Sequence, residues 1–344
     1  MKRAPDFWWQ RTLPPLAHLL KPAAWLYGRV SGRRMHRKPK ARSRLPVICV
    51  GNFVVGGTGK TPFAIELARV LRADGLTPGF LLRGYGGRNK GPLLVDLQTH
   101  DAEDVGDEAL LLAAHAPTVI SADRPAGARL AEEQPIDLLI MDDGFQNPTL
   151  AKDLNLVLVD CSTGFGNGLC LPAGPLRAPA QVQIVKADCL ILIGGGDEAD
   201  EAVHLAGRKG LPLVHAYVRP QPNDALQGQG LFAFAGIGRP QKFFRSLTEM
   251  GYRVKETREF ADHHRYSETD ARALLTEAEC EGLQLVTTRK DAMRFASADT
   301  ELFRWLTAQT QVLDIAMNID DPDRLIALVR ERLRAKSFDE PPRP

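Results

Sequence analysis

No stretch of 18 uncharged apolar residues occurs in this 344-residue chain, so the sequence encodes no transmembrane helix. Cysteine is scarce. The five present (Cys49, Cys161, Cys170, Cys189, Cys280) are odd in number, widely spaced and never form C-x-x-C. That excludes a disulfide scaffold and reads as reduced thiols in a cytosolic protein. The eight histidines show no metal-ligand spacing, and their one cluster is His263-His264. Internal repeats and low-complexity segments are lacking. Neither Gly194-Gly195-Gly196 nor Gly236-Ile237-Gly238 completes G-x-G-x-x-G, which excludes a dinucleotide site. What is present is ordinary for a globular protein: 44% apolar and 25% charged residues, in a length that points to two domains.

The net charge of +2 hides an asymmetry. Residues 1–44 hold twelve Lys or Arg and one acid, Asp6, while the remaining 300 residues carry a charge of −9. Trp8, Trp9 and Trp25, three of the four tryptophans, fall in the basic segment. Its apolar stretches are broken by Arg11, Pro14-Pro15, Lys21 and Pro22, so no uninterrupted signal-peptide core forms. The pattern predicts two short amphipathic helices lying in a membrane interface. The run Arg33, Arg34, Arg37, Lys38, Lys40, Arg42, Arg44 then faces an anionic surface. No nucleic-acid fold and no protein partner is evident in the body of the chain.

Residues 46–73 read as strand, Gly-rich loop and helix. Val47–Val50 form the buried strand, and Phe63, Leu67, Val70 and Leu71 share one helix face. The loop Gly56-Gly57-Thr58-Gly59-Lys60-Thr61 matches the end of G-x-x-x-x-G-K-[ST], with Val54 where the first glycine of the strict pattern would stand. Together with Val54 and Val55, these residues are the expected nucleotide site. Backbone N–H groups would cradle phosphate, Lys60 would meet the outer phosphates, and Thr61 would offer its hydroxyl to Mg²⁺. The apolar run Leu138–Met141 ends in Asp142-Asp143, a carboxylate pair suited to the metal shell and to orienting Lys60 or water. The expected cofactors are therefore ATP and Mg²⁺.

Further strands are predicted at about 79–82, 117–121, 154–160 and 188–193, separated by helices. This is an α/β fold with a mainly parallel sheet and a site at the strands' carboxyl ends. A smaller α/β unit follows, with strands at 231–235, 252–256 and 283–287 and helices at 239–250 and 268–281. The expected divisions are a membrane-interface segment (1–44), a P-loop domain (45–214) and a linker (215–224). A second α/β domain (225–311), a closing strand and helix (312–336, the strand at Val312–Met317) and a disordered tail (337–344) complete them.

Seven ordered stretches resemble the motifs of the tetraacyldisaccharide 4′-kinase (lipid A 4′-kinase) family. They are GNFVVGGTGKTP (51–62), RGYGG (83–87), VGDEALLL (105–112), DDGFQN (142–147), GFGNGLCLPAGPLRAP (164–179), FAGIGRPQKFF (234–244) and FADHHRY (260–266). The resemblance implies transfer of the ATP γ-phosphoryl group to the 4′-hydroxyl of a tetraacylated glucosamine disaccharide 1-phosphate, in lipid A biosynthesis. It implies two α/β/α sandwich domains, the first P-loop NTPase-like, joined by a short β linker with the site in the cleft between them. It also implies a peripheral position on the cytoplasmic face of the bacterial inner membrane.

By that resemblance Asp107 is the general base and His263 its dyad partner, with Lys60 the phosphate lysine. Thr61, Asp142, Asp143, Glu108 and Gln146 are the metal-side set, and Arg124 and Arg177 line the site. The chain departs from the family pattern at Phe145, Asn147, Ala178 and Arg289, the last within Thr287-Thr288-Arg289-Lys290-Asp291, a segment with no assigned role. From the residues alone, a membrane-associated P-loop switch ATPase without a sugar-lipid acceptor is the alternative. It explains the loop and the aspartates but not Asp107, His263 or the second α/β unit.

Overall fold

Two sheets, one of nine strands and one of four, carry the chain in a computed structural model that describes residues 4–10, 12–262, 264–296 and 300–339. The strands are β1 (Val47–Asn52), β2 (Pro78–Leu82), β3 (Leu93–Leu94), β4 (Thr118–Ile120), β5 (Leu138–Asp142), β6 (Leu154–Asp160), β7 (Cys189–Ile193), β8 (Leu213–Pro220), β9 (Gly230–Ala235), β10 (Arg253–Glu259), β11 (Gln284–Thr288), β12 (Thr310–Leu313) and β13 (Ile315–Ile319). The helices are α1 (Pro15–Met35), α2 (Lys60–Ala73), α3 (Ala102–Val105), α4 (Asp107–Ala113), α5 (Arg124–Ala131), α6 (Ala180–Lys186), α7 (Asp200–Lys209), α8 (Pro240–Glu249), α9 (Glu268–Glu281), α10 (Arg289–Ala296), α11 (Glu301–Gln309) and α12 (Pro322–Asp339).

The large sheet has the order β13-β8-β7-β6-β1-β5-β2-β4-β3. It is parallel except at its two edges, where β13 runs against β8 and β3 against β4. β1, β5 and β7 are buried along their whole length, which is why they read as unbroken apolar runs. One face is covered by α2, α4 and α12 through Phe63, Leu67, Leu112, Leu325 and Val329. The other is covered through Met35, Ala128, Ile184 and Ala202 of α1, α5, α6 and α7. The chain runs from β1 outward to β2 and β4, returns to β5 beside β1, then crosses to β6. The end of β1 is therefore a topological switch point, where a ligand crevice opens at the strands' carboxyl ends.

The small sheet is wholly parallel, in the order β10-β9-β11-β12. Phe243 and Leu247 of α8 pack on one face. Phe232, Phe234, Leu274, Phe295 and Leu306 fill the other. The α/β sandwich predicted from sequence is thus present twice. The chain leaves the large sheet along β8 and returns along β13, and these antiparallel strands connect the two sandwiches.

Three expectations change. The single strand at 312–317 is two strands parted at Asp314, one in each sheet, because the Asp314 carboxylate is held by Arg289 and its carbonyl by the Gln221 N–H. α12 extends to Asp339, so the first three residues of the expected disordered tail are helical, and 340–344 lie outside the described residues. The amino-terminal segment holds one 3₁₀ turn (Asp6–Trp9) and one 21-residue helix instead of two short helices. Pro14 caps that helix and Pro15 sits in its first turn, where a missing N–H does no harm. Pro22 inside it removes one hydrogen bond, and packing of Ala17, Ala24, Gly28 and Gly32 onto the body holds the helix continuous.

Candidate active site

Register places the phosphate loop beside the paired aspartates. Val50 of β1 lies opposite Asp142, the last residue of β5, and β1 runs on two residues to Asn52 at the foot of the loop. The chain then turns through Gly56–Gly59 into α2, with Gly59 at φ 82 as the residue before the first helical turn. A side chain there would require left-handed backbone that glycine adopts freely. Asn52 braces the loop from below, donating to the Thr58 hydroxyl at 3.0 Å and the Gly56 carbonyl at 3.4 Å. The flank 53–55 is tied to residues 175–177: Val55 N–H donates to the Pro175 carbonyl, and Arg177 Nε donates to the Val54 carbonyl.

The two aspartates divide the work. Thr61 Oγ1 donates to Asp142 Oδ2 at 3.2 Å, while Asp143 accepts from Arg177 at 2.7 Å and lies 3.8 Å from Lys60 Nζ. Asp143 adopts φ 51, an uncommon backbone for a non-glycine residue. Burial, and then the Glu108 charge, push Asp142 up to about 7. Burial also raises Asp143, but Lys60 and then Arg177 outweigh it and hold that carboxyl at about 2. One member of the pair is thus an anion under Lys60 at any ordinary pH, while the other holds its proton up to near neutrality.

Asp107 and Glu108 open α4. Gly106 before them has φ 90, and a Cβ there would sit 2.3 Å from the Tyr85 carbonyl, so glycine lets the start of α4 press against the loop after β2. Asp107 Oδ1 accepts from the Glu108 N–H at 3.0 Å, and Glu108 pairs with Lys290 at 2.6 Å. Lys290, the largest influence on Glu108, holds its carboxyl below the ordinary range. Arg294 pairs with Asp107 at 2.6 Å. Lys290 and Arg294 belong to α10, so the small sandwich closes directly onto the large one here. Gly238 of the small sandwich also approaches the phosphate loop, its Cβ position 3.8 Å from the Gly57 nitrogen.

His263 lies outside the described residues. Its neighbours Arg265 and Tyr266 line a cavity of about 220 Å³ together with Asp107, Arg294 and Gly86. His264 is held by Asp270 at 3.0 Å and stacks on Phe260.

Arg124 is buried at the start of α5, donates to the Ser121 carbonyl, and leaves its Nε without a hydrogen-bond partner. Gln146 donates to the Asn52 carbonyl and to Gln183, so its amide nitrogen belongs to the loop's scaffold. The departures are accommodated structurally: Phe145 packs edge-on to Phe53, Asn147 caps a turn at Thr149, and Ala178 is buried. Arg289 pairs with Asp314 at the connection between the sandwiches.

Sequence reasoning missed Arg294 and gave Lys290 no role, since a basic helix looks like a solvated face until its partner sheet is known. It also missed a second tie between the sandwiches, in which Arg239, the residue before α8, and Lys242 of α8 hold the buried Asp160 at 3.0 and 2.7 Å.

A family model described as tetraacyldisaccharide-1-P 4′-kinase matches residues 16–334. The tetraacyldisaccharide 4′-kinase of Methylobacterium nodulans is 48% identical over 335 residues, which span 97% of this chain and 96% of the relative. That of Brucella ovis is 46% identical over 337 residues, spanning 97% and 98%. The crystal structure of LpxK from Aquifex aeolicus in complex with ATP superposes with a TM-score of 0.73 at 29% identity, covering 92% of this chain and 99% of that one. Matches of this extent, over a fold with a phosphate loop and paired aspartates at its switch point, lead to one conclusion: the chain belongs to the tetraacyldisaccharide-1-P 4′-kinase family.

Proposed function

We propose that this protein transfers the γ-phosphoryl group of ATP to the 4′-hydroxyl of a tetraacylated glucosamine disaccharide 1-phosphate. The observation that carries the reading is the gathering of Lys60, Thr61 and Asp142 with Glu108, the neighbour of Asp107, at the carboxyl ends of the large sheet's central strands, under the small sandwich. The residues present fit Mg-ATP. Cβ atoms at Gly56 and Gly57 would meet nothing within 4 Å, so the loop is an open cradle. Asp142 Oδ1 is buried without a hydrogen-bond partner beside the Thr61 hydroxyl, a donor set suited to a hard cation.

Thr61 and Asp142 would hold the metal, with Glu108 nearby, and the loop N–H groups and Lys60 would hold the phosphates. Bound Mg-ATP supplies the transferable phosphoryl group and its charge-neutralising cation. Asp107 accepts the proton of the attacking hydroxyl as its oxygen takes up the phosphoryl group and ADP leaves. His263 would orient that carboxylate. Arg177 and Arg124 add positive charge at the rim and floor.

The acceptor is a lipid, and α1 is built to meet a bilayer surface. Its small residues face the body, while Leu16, Leu19, Leu26 and Val30 point outward, Leu19 being 77% and Trp25 66% exposed. This reverses the usual arrangement of a soluble amphipathic helix. Trp8 and Trp9 do not share that face: the Trp8 indole donates to the Pro172 carbonyl, and Trp9 lies under Arg239. Arg34, Arg37, Lys38 and Lys40 follow the apolar stripe and line a cavity of about 280 Å³. Arg42 and Arg44 are instead tied to Asp153 and Glu132. Among the described residues no helix is long and apolar enough to cross a membrane. Peripheral attachment to the cytoplasmic face of the inner membrane is the arrangement this supports.

ATP consumption by the full chain, measured with and without the acylated disaccharide, tests the assignment. Consumption that requires the acceptor is expected. Equal consumption without it would favour a nucleotide switch.

A further inference from the structure

The segment Thr287–Asp291 leads into α10, whose inner face meets Asp107 across the junction of the two sandwiches. Arg294 donates to Asp107 Oδ2 from Nε at 3.0 Å and from Nη2 at 2.6 Å. Both side chains are nearly sealed from solvent, at 7% and 5% exposure. The far side of the guanidinium is also held. Nη1 donates to the Gly236 carbonyl and to Asp291 Oδ1, both at 2.7 Å. Asp291 is fully buried and accepts in turn from the Gly236 N–H, the Tyr266 hydroxyl and the Thr288 hydroxyl. The planar Arg294 fork is therefore set by groups of the small sandwich before it reaches Asp107. Asp107 Oδ1 takes its own hydrogen bond from the Glu108 N–H, so the carboxylate plane is defined from both sandwiches at once.

We propose that Arg294 is a positioning residue for phosphoryl transfer: carried by the small sandwich, it fixes the Asp107 carboxylate in place when the sandwiches meet. The inference rests on Asp107 being the proton acceptor. Neither the Thr287–Asp291 segment nor Arg294 needs to touch nucleotide or sugar in this role. The fixed carboxylate is what the attacking hydroxyl requires, because a small misplacement of a catalytic group far outweighs the loss of a contact.

The test is a double-mutant cycle on the full chain, with ATP and the tetraacylated disaccharide 1-phosphate as substrates. Arg294→Ala is expected to lower kcat about 100-fold while the KM for ATP moves less than about threefold. Arg294→Lys, which keeps the charge but not the fork, is expected to recover about tenfold of that. Asp107→Asn/Arg294→Ala is expected to be no slower than Asp107→Asn alone, since Arg294 acts through Asp107. Full kcat in Arg294→Ala, a loss carried by the ATP KM, or additive losses in the double variant would overturn the proposal. If Arg294→Ala does not fold, judged by its melting curve, Asp291→Asn/Arg294→Met removes the buried charge together with its partner in the small sandwich, leaving only Asp107 charged. Undiminished kcat in that pair would overturn the proposal equally. Asp107→Asn at the parental rate would instead refute the role of Asp107, an outcome distinct from an inactive Asp107→Asn with an additive cycle.

Discussion

Lys290 Nζ lies 2.6 Å from Glu108 Oε1 and ties the small sandwich to the large one within reach of the phosphate loop. The pair sits in an acidic neighbourhood, since the Asp107 and Asp142 charges also act on Lys290. Burial alone would push the Lys290 ammonium down, but Glu108 and then Asp107 outweigh it and keep it charged.

Removing one partner should therefore hurt more than removing both. Lys290→Met leaves Glu108 beside Asp142 without its counter-ion, and a loss of about 1–2 kcal/mol is expected, discounted for the partial exposure of both groups. Glu108→Gln/Lys290→Met should regain part of it. Urea unfolding of the three proteins measures this, and a double variant less stable than Lys290→Met would contradict it.

The phosphate loop makes a sharper claim. Lys60→Ala and Thr61→Ala should each lower kcat by about 100-fold or more while melting stays within about 2 °C of the parent. Lys60 is part-exposed, and Thr61, though buried, spends its hydroxyl on Asp142 and not on core packing, so the fold does not depend on either side chain. Turnover near the parental rate in either variant would remove that residue from the mechanism.

Asp142 predicts a pH effect of definite sign. With its carboxyl at about 7 in the nucleotide-free fold, the folded chain keeps a proton that the unfolded chain loses near pH 4. Stability of the free protein therefore falls as pH rises through about 4 to 7 and stays reduced above it. Asp142→Asn cannot ionise. It should melt about 3 °C above the parent at pH 8 and level with it at about pH 4.5, while losing turnover. A variant that melts lower at pH 8 would contradict the burial argument.

The outward face of α1 should act by apolar insertion. Replacing Leu19, Leu26 and Val30 together by Ser removes exposed side chains and leaves the small-residue seam untouched. Sedimentation with anionic vesicles should fall about tenfold or more, with no change in melting temperature. Undiminished vesicle binding would move the attachment elsewhere.

Much of this was legible in the chain because it rests on local rules. Buried parallel strands announce themselves as apolar runs: Leu154–Asp160 is a strand over the residues expected, and Glu268–Glu281 a helix. The phosphate loop is contiguous, so Gly56–Thr61 could be read directly. What depended on tertiary contact was not legible. Asp314 divides 312–317 between two sheets, and a single acid within an apolar run does not by itself say that the strand parts there. Pro22 promised a helix end, but packing of Ala24 and Gly28 overrode it. Arg294 is one of six residues reading RKDAMR, and only the approach of α4 turns it from a surface charge into a partner of Asp107.

Phosphoryl transfer to the sugar lipid is read out by following labelled phosphate from γ-labelled ATP in the presence of purified tetraacylated disaccharide 1-phosphate. Label is expected on the disaccharide at the 4′ position, one per molecule, and is expected to be lost in Asp107→Asn. Label released as free phosphate at the same rate with or without the disaccharide would contradict it.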